Sequence, residues 1–283
     1  MGKYLRPIVA AVAGAALTAG IAVATASGSS ARTHAASASF AGVNFVSTCK
    51  FSHRAPDDPI VYPGQPGKSH DHTFVGNVST DASSTLASLQ AAGTTCQRPA
   101  DKAGYWMPTL IVDGQAIDPM GATIYYRRNT ISPVRAFPSG LKVIAGDAKA
   151  TSPQDRRITF WNCGVAGGVG PSQTPPVCPD GRGQSLRLHV NFPSCWDGRN
   201  LDSADHKSHM AYPTGRVCPA DHPVAVPVIN LIYRYPVSGA HEFALASGGV
   251  YSAHADFFNA WIQPHLRRLV NQCLNGLLHC GRL

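Results

Sequence analysis

Apolar residues along this chain recur with a period of two more often than with the helical period of 3.6, and each periodic stretch is short. Leu186-Arg187-Leu188-His189-Val190-Asn191-Phe192 alternates strictly, which predicts a strand with its leucines, Val190 and Phe192 on one face and His189 and Asn191 on the other. A second long strand is expected over 226–235, where Ile229, Leu231, Tyr233 and Tyr235 form an apolar row. Shorter strands are expected at 106–112, 123–126, 142–145, 158–161 and 242–245, with a hairpin turn at Asp113-Gly114. Helical spacing occurs twice. Residues 83–92 carry a serine cap and stop at Gly93, and residues 257–273 place Phe258, Trp261, Ile262, Leu266, Leu269 and Val270 on one stripe that Pro264 kinks or restarts.

Twenty-seven glycines and 22 prolines cut the chain into these pieces, and no internal repeat is present. The long Gly/Pro-rich stretches at 164–183 and 197–223 read as loops that are functional or tethered. Together the patterns predict a mainly β, single-domain, sandwich-like fold with long disulfide-tethered loops and a C-terminal helix. Gly164 to Gly170 is glycine-rich but lacks a strand–helix frame, so it is not a nucleotide site.

The N-terminus changes the picture. Lys3 and Arg6 precede an uncharged run from Ile8 to Ala26 that ends in Ala-x-Ala spacings, the layout of a signal peptide over residues 1–26. The alternative is a retained N-terminal membrane anchor, because the run approaches the length of about 20 residues that spans a bilayer. Residues 27–39, made of Ser, Ala, Gly and Thr, are expected to be a disordered linker, leaving 40–283 as one globular domain. A secreted chain with no stable membrane span after cleavage follows.

All eight cysteines lie in that domain, and an even count in an exported chain reads as disulfides. Pairing of sequence neighbours is the working expectation: Cys49–Cys96, Cys163–Cys178, Cys195–Cys218 and Cys273–Cys280. The formal charge of +8 falls to +6 without Lys3 and Arg6. Such an excess suits anionic wall polymers or polysaccharides, while its scatter in doublets such as Arg127-Arg128 is no nucleic-acid footprint.

Three histidine motifs carry the candidate chemistry. His70 and His72, on one face if they enter a strand, project about 7 Å apart, close enough to chelate one ion. His206 and His209 lie in the loop that Cys195 and Cys218 would close. His254 precedes Asp256, which stands where an aspartate would cap the C-terminal helix. The candidate polar site is therefore His70, His72, His206, His209, His254 and Asp256, joined by His189. Two chemistries fit. A zinc or copper ion held by His70, His72, His206 and His254 would work with a carboxylate acting as general base on metal-bound water. Alternatively, a His/Asp pair does acid–base work on a glycan without metal, with Trp106, Trp161, Trp196 and Trp261 as candidates for stacking on sugar.

Five motifs occur in order: His70-x-His72-x-Phe74-x-Gly76-Asn77, Tyr105-Trp106-x-Pro108-x-Leu110, Phe192-Pro193-x-Cys195-Trp196-Asp197-Gly198, Asp205-His206-x-Ser208-His209-Met210 and His254-x-Asp256-Phe257-x-Asn259-x-Trp261. They resemble a group of secreted actinobacterial and fungal proteins catalogued as a domain of unknown function. Ala260 departs from the glycine expected there. The resemblance implies an extracellular setting in organisms that live on polymers and supplies no reaction. The expected function is a secreted hydrolase or lyase acting on extracellular or cell-wall polysaccharide, metal-assisted at the His/Asp site. The alternatives are a non-catalytic carbohydrate- or wall-binding protein and an extracellular metal-binding protein.

Overall fold

Alternation in the strands resolves into two sheets whose inner faces share one apolar core. The computed structural model describes residues 40–164, 168–181 and 183–281. The expected signal peptide, the linker and residues 165–167 of the glycine-rich loop lie outside the described residues.

The larger sheet has six strands in the order β17 (His279–Gly281), β1 (Asn44–Cys49), β7 (Gly121–Arg127), β14 (Val228–Arg234), β10 (Leu186–Asn191) and β9 (Thr159–Cys163). All neighbours are antiparallel except β1 and β17. The second sheet orders β2 (Phe51–Ala55), β3 (His72–Gly76), β4 (Gly104–Pro108), β16 (His254–Phe258) and β8 (Lys142–Gly146), all antiparallel. Two three-stranded ribbons complete the domain. One joins β15 (Phe243–Leu245), β5 (Leu110–Val112) and β6 (Gln115–Ile117), and the other β12 (Met210–Ala211), β11 (Cys195–Trp196) and β13 (Val224–Ala225).

Phe45, Ile124, Tyr126, Leu188, Val190, Leu231 and Tyr233 of the six-stranded sheet pack with Val75, Tyr105, Met107, Val143, Ala255 and Phe257 of the five-stranded one. The outer face of the smaller sheet is covered as well: Phe74, Trp106 and Phe258 form a second buried cluster with Ile60, Leu89 and Ala260. Consequently β3, β4 and β16 are buried at every residue. Polar atoms in the core are bonded into a bridge. Asp101 accepts from Ser47 (2.6 Å) and Tyr105 (2.9 Å), Tyr105 meets Tyr126, and the Trp261 indole donates to the Tyr126 hydroxyl at 2.9 Å. Burial raises the Asp101 carboxyl to about 7, against the hydrogen bonds that favour its anion. Since this folded value lies above the ordinary 3.8, the contribution of Asp101 to stability is complete below about pH 4 and is lost as pH rises towards 7. Asp101→Asn, which cannot ionise, is expected to escape this loss. The melting temperature of the variant should gain on the wild type between pH 4 and 7 in thermal scans, and a constant difference would contradict it.

All four disulfides join sequence neighbours, as the spacing suggested. Asp113 and Gly114, both at positive φ, make the tight turn between β5 and β6. Other expectations needed correction. The stretch 106–112 is two strands, because Pro108 ends β4 and the Thr109 amide turns to bond the Asp71 carbonyl. The first helix, α1, spans Leu86–Ala91 and is capped by Thr85 and Ser88 rather than starting at Ser83. The helix expected over 257–273 begins later. Phe257 and Phe258 belong to β16 and point to opposite clusters, a strand geometry, and α2 covers Gln263–Leu269 before a π-helical turn at Val270–Asn275. The capping reading of Asp256 falls with it, because Asp256 lies inside a strand.

Candidate metal centre

Four of the six candidate side chains, His70, His72, His254 and Asp256, meet on the outer face of the five-stranded sheet. His72 opens β3 and His254 opens β16, the strands on either side of β4. Their Cα atoms are thus separated by two strand spacings, about 10 Å, and the rings reach towards each other across Pro108. His70 adds the third ring from just before β3. Ring centroids are 4.2 Å apart for His70–His72, 5.1 Å for His70–His254 and 5.7 Å for His72–His254.

Backbone carbonyls fix which nitrogen faces the centre. Nδ1 of His72 bonds the Asp57 carbonyl at 3.0 Å, and Nδ1 of His254 bonds the Ser252 carbonyl at 2.8 Å. A carbonyl can only accept, so each Nδ1 carries the proton and, in the neutral ring, each Nε2 presents a lone pair. Those Nε2 atoms face each other at 3.5 Å. Nε2 of His70 is buried without a partner. One donor atom from each histidine lies within 4.8 Å of the others. Two nitrogens each 2.0–2.1 Å from a tetrahedral zinc stand about 3.4 Å apart, so the observed pair is spaced as ligands of one ion.

Carboxylates back the triad. Asp256 Oδ2 is 4.0 Å from His254 Nε2, and neither Asp256 oxygen has a hydrogen-bond partner. Asp58, His72 and Asp256 form a second group within 4.8 Å that shares His72. Asp58 is held by the amides of Ile60 (2.8 Å) and Val61 (3.0 Å), which folds the segment after Asp57 over the sheet. Burial drives the electrostatics. It holds His72 well below the ordinary imidazole range, with His70 and His254 adding repulsion, and brings His254 down to about 4. Burial likewise raises Asp58, and raises Asp256 strongly with help from the Asp58 charge. Neutral imidazoles and reluctant carboxylates around one point are what a cation would relieve.

The other candidates lie elsewhere. His206 is paired through Nδ1 with Asp202 at 2.9 Å, one layer out, near enough to Asp58 to bias its charge. His209 engages both nitrogens, with Ser203 Oγ at 2.9 Å and the Lys142 carbonyl at 2.6 Å. His189 is on the outer face of the opposite sheet, bonded to Asn162 at 2.9 Å. Trp106, Trp161 and Trp261 are fully buried, so none can stack on a sugar, and half-buried Trp196 donates to the Asn200 carbonyl. A Cys49, Cys96 and Asp101 group also has ligand spacing, but its sulfurs are bonded to each other.

Asp58 was missed in the sequence. Asp57-Asp58-Pro59 reads as a turn, and nothing local ties it to histidines 14 and 196 positions away. The family model described as Domain of unknown function (DUF1996) matches residues 58–261. No curated protein and no solved structure matches the chain.

Proposed function

We propose that this chain, which belongs to the DUF1996 family, is a secreted protein that holds a zinc or copper ion between His70, His72 and His254 and uses it to cleave an extracellular or cell-wall polysaccharide by hydrolysis or elimination. The observation that carries the reading is the 3.5 Å approach of two Nε2 lone pairs whose Nδ1 protons are committed to carbonyls. Without an ion, that approach sets two acceptors against each other beside a partnerless His70 nitrogen and a partnerless carboxylate. The carbonyls of Asp57 and Ser252 act as the outer partners that orient metal-binding imidazoles.

Three imidazoles leave a fourth position open, and the half-exposed His70 marks the side nearest solvent. An ion bound there supplies Lewis acidity. Asp256, raised by burial, is placed to hold or release a proton beside His254. Export rests on the N-terminal pattern and on four disulfides with no free cysteine among the described residues. No helix among these residues is long and apolar enough to cross a membrane.

Elemental analysis of untagged protein is expected to return one zinc or copper per chain. Protein that is metal-free and unresponsive to either ion would sink the proposal. The ion-induced rise in melting temperature should be full at pH 7 and vanish near pH 4, where His254 takes up a proton. Its folded value of about 4 lies below the ordinary 6.5, so the metal-free domain itself should lose stability as pH falls from about 6.5 to 4. The burial of His72 and His254 also suits an ion held without turnover. New reducing ends or unsaturated products from wall polysaccharides would separate catalysis from capture.

A further inference from the structure

The outer face of the six-stranded sheet, on the far side of the sandwich from the histidine centre, gathers three arginines on its strands, with acids only at its borders, where Asp155 lines the same cavity as Arg127 and Asp180 accepts from Ser238. Alternation turns Tyr125 and Arg127 of β7, Arg187, His189 and Asn191 of β10, and Asn230 and Arg234 of β14 outwards, since their neighbours Tyr126, Leu188, Val190, Leu231 and Tyr233 fill the core. Arg187 and Arg234 are directly opposite each other in the β10–β14 register, a like-charge pair of the kind that destabilises a sheet. The Nε atoms of both are buried without a hydrogen-bond partner. None of Arg127, Arg187 and Arg234 has an ion-pair partner among the described residues. Burial, with repulsion from Arg234 added, lowers Arg187, and burial followed by the charges of Arg187 and Arg127 lowers His189, so the arginines are close enough to feel one another across the face. An open cleft of about 380 Å³ adjoins Arg187 and Arg234, bordered by Gln184, Ser185 and Ser238.

We propose that this face is a docking surface for a carboxylated, uronic-acid-type glycan, gripped by Arg187, Arg234 and Arg127. Guanidinium forks match carboxylates in a bidentate manner, which accounts for arginine rather than lysine at all three positions. Arg127 lies near Val228 in the register and Arg234 six residues further along β14, so the row extends over about 20 Å and suits a chain rather than a single anion. Asn191 and Asn230 are paired across the strands between them, and the Asn191 amide is held by the Arg157 carbonyl at 2.9 Å, so the floor between the arginines is polar and fixed. Nucleic acid fits less well. Two aromatic rings on this face are already covered, Tyr125 by Arg127 at 4.5 Å and Phe160 by His189 at 4.2 Å, and the one exposed ring beside it, Tyr212, is tied by its hydroxyl to the Asn191 carbonyl, so there is no row of platforms for successive bases. The surface does not depend on the metal reading, because it is built from other strands and its occupant needs no ion.

Affinity electrophoresis of the full mature protein through gels containing polygalacturonate, neutral dextran or single-stranded DNA tests the proposal. Polygalacturonate alone should retard the protein, and retardation should weaken as salt rises. R187Q/R234Q should bind at least about 10-fold more weakly, the loss expected from two charge-assisted contacts, with unchanged metal content. If that double variant fails to fold, exposed Arg127→Gln carries the same test with a smaller loss. Wild-type retardation by polygalacturonate in the variant that folds, equal retardation by DNA, or none by polygalacturonate would overturn it.

Discussion

His72→Ala is expected to lower zinc or copper affinity by more than about 100-fold, since loss of even an outer partner of a metal ligand costs about 10–100-fold. His72 is the residue that both ligand groups share, between His70 and His254 on one side and Asp58 and Asp256 on the other. Its ring is wholly buried and its Nδ1 is fixed by the Asp57 carbonyl, so Nε2 is held towards the centre. Calorimetric titration of the metal-free variant reads the affinity directly. The more telling readout is the gap in melting temperature between metal-bound and metal-free protein, which should close in the variant. A gap as wide as that of the wild type would mean that the ion, if bound, is held elsewhere. His209→Ala is the control. That imidazole is bonded to Ser203 and to the Lys142 carbonyl, so its loss should lower stability while leaving metal affinity intact.

Replacing Cys49 and Cys96 together by serine is expected to cost about 4 kcal/mol, the chain-entropy value for closing a loop of this length. The 47-residue separation is the longest among the four bridges, and longer loops gain most from closure. The bridge ties the end of β1 to the segment leading to Asp101, whose carboxylate accepts from Ser47 on the same strand. It therefore anchors the polar bridge that spans the two sheets. For a domain of this size the loss corresponds to roughly 8–16 °C in melting temperature, measured without reductant. A shift of only a few degrees would show that the core holds this corner unaided.

The two-sheet architecture was legible wherever apolar core residues recurred at every second position. β10 and β14 announced themselves through Leu186, Leu188 and Val190 and through Ile229, Leu231 and Tyr233. Strands covered on both faces lose that alternation, which is why 257–258 passed for the start of a helix and why β16 was hidden. β1 and β2 went unseen for a related reason: Ser47, Thr48, Ser52 and His53 interrupt their apolar positions. At the site, His70, His72 and His254 stood out because clustered histidines are conspicuous, whereas Asp58 has only an ordinary turn around it. His206 and His209 share the same local signature. What separates them is a tertiary fact, their partners Asp202, Ser203 and the Lys142 carbonyl. The arginine face was concealed differently. Arg127, Arg187 and Arg234 are scattered in sequence, and only the register of three strands gathers them.

The parallel pairing of β1 with β17 has a bearing on how the chain reaches this state. Asn44 aligns with His279, 235 positions downstream, so the edge of the larger sheet closes only when the last strand is available. Non-local pairing of this kind slows folding, because loop-closure entropy precedes any reward from the contact. A polypeptide emerging N-terminus first therefore cannot complete this edge until its final turn has been delivered. The Cys273–Cys280 bridge, whose second cysteine lies in β17, is suited to lock that closing step.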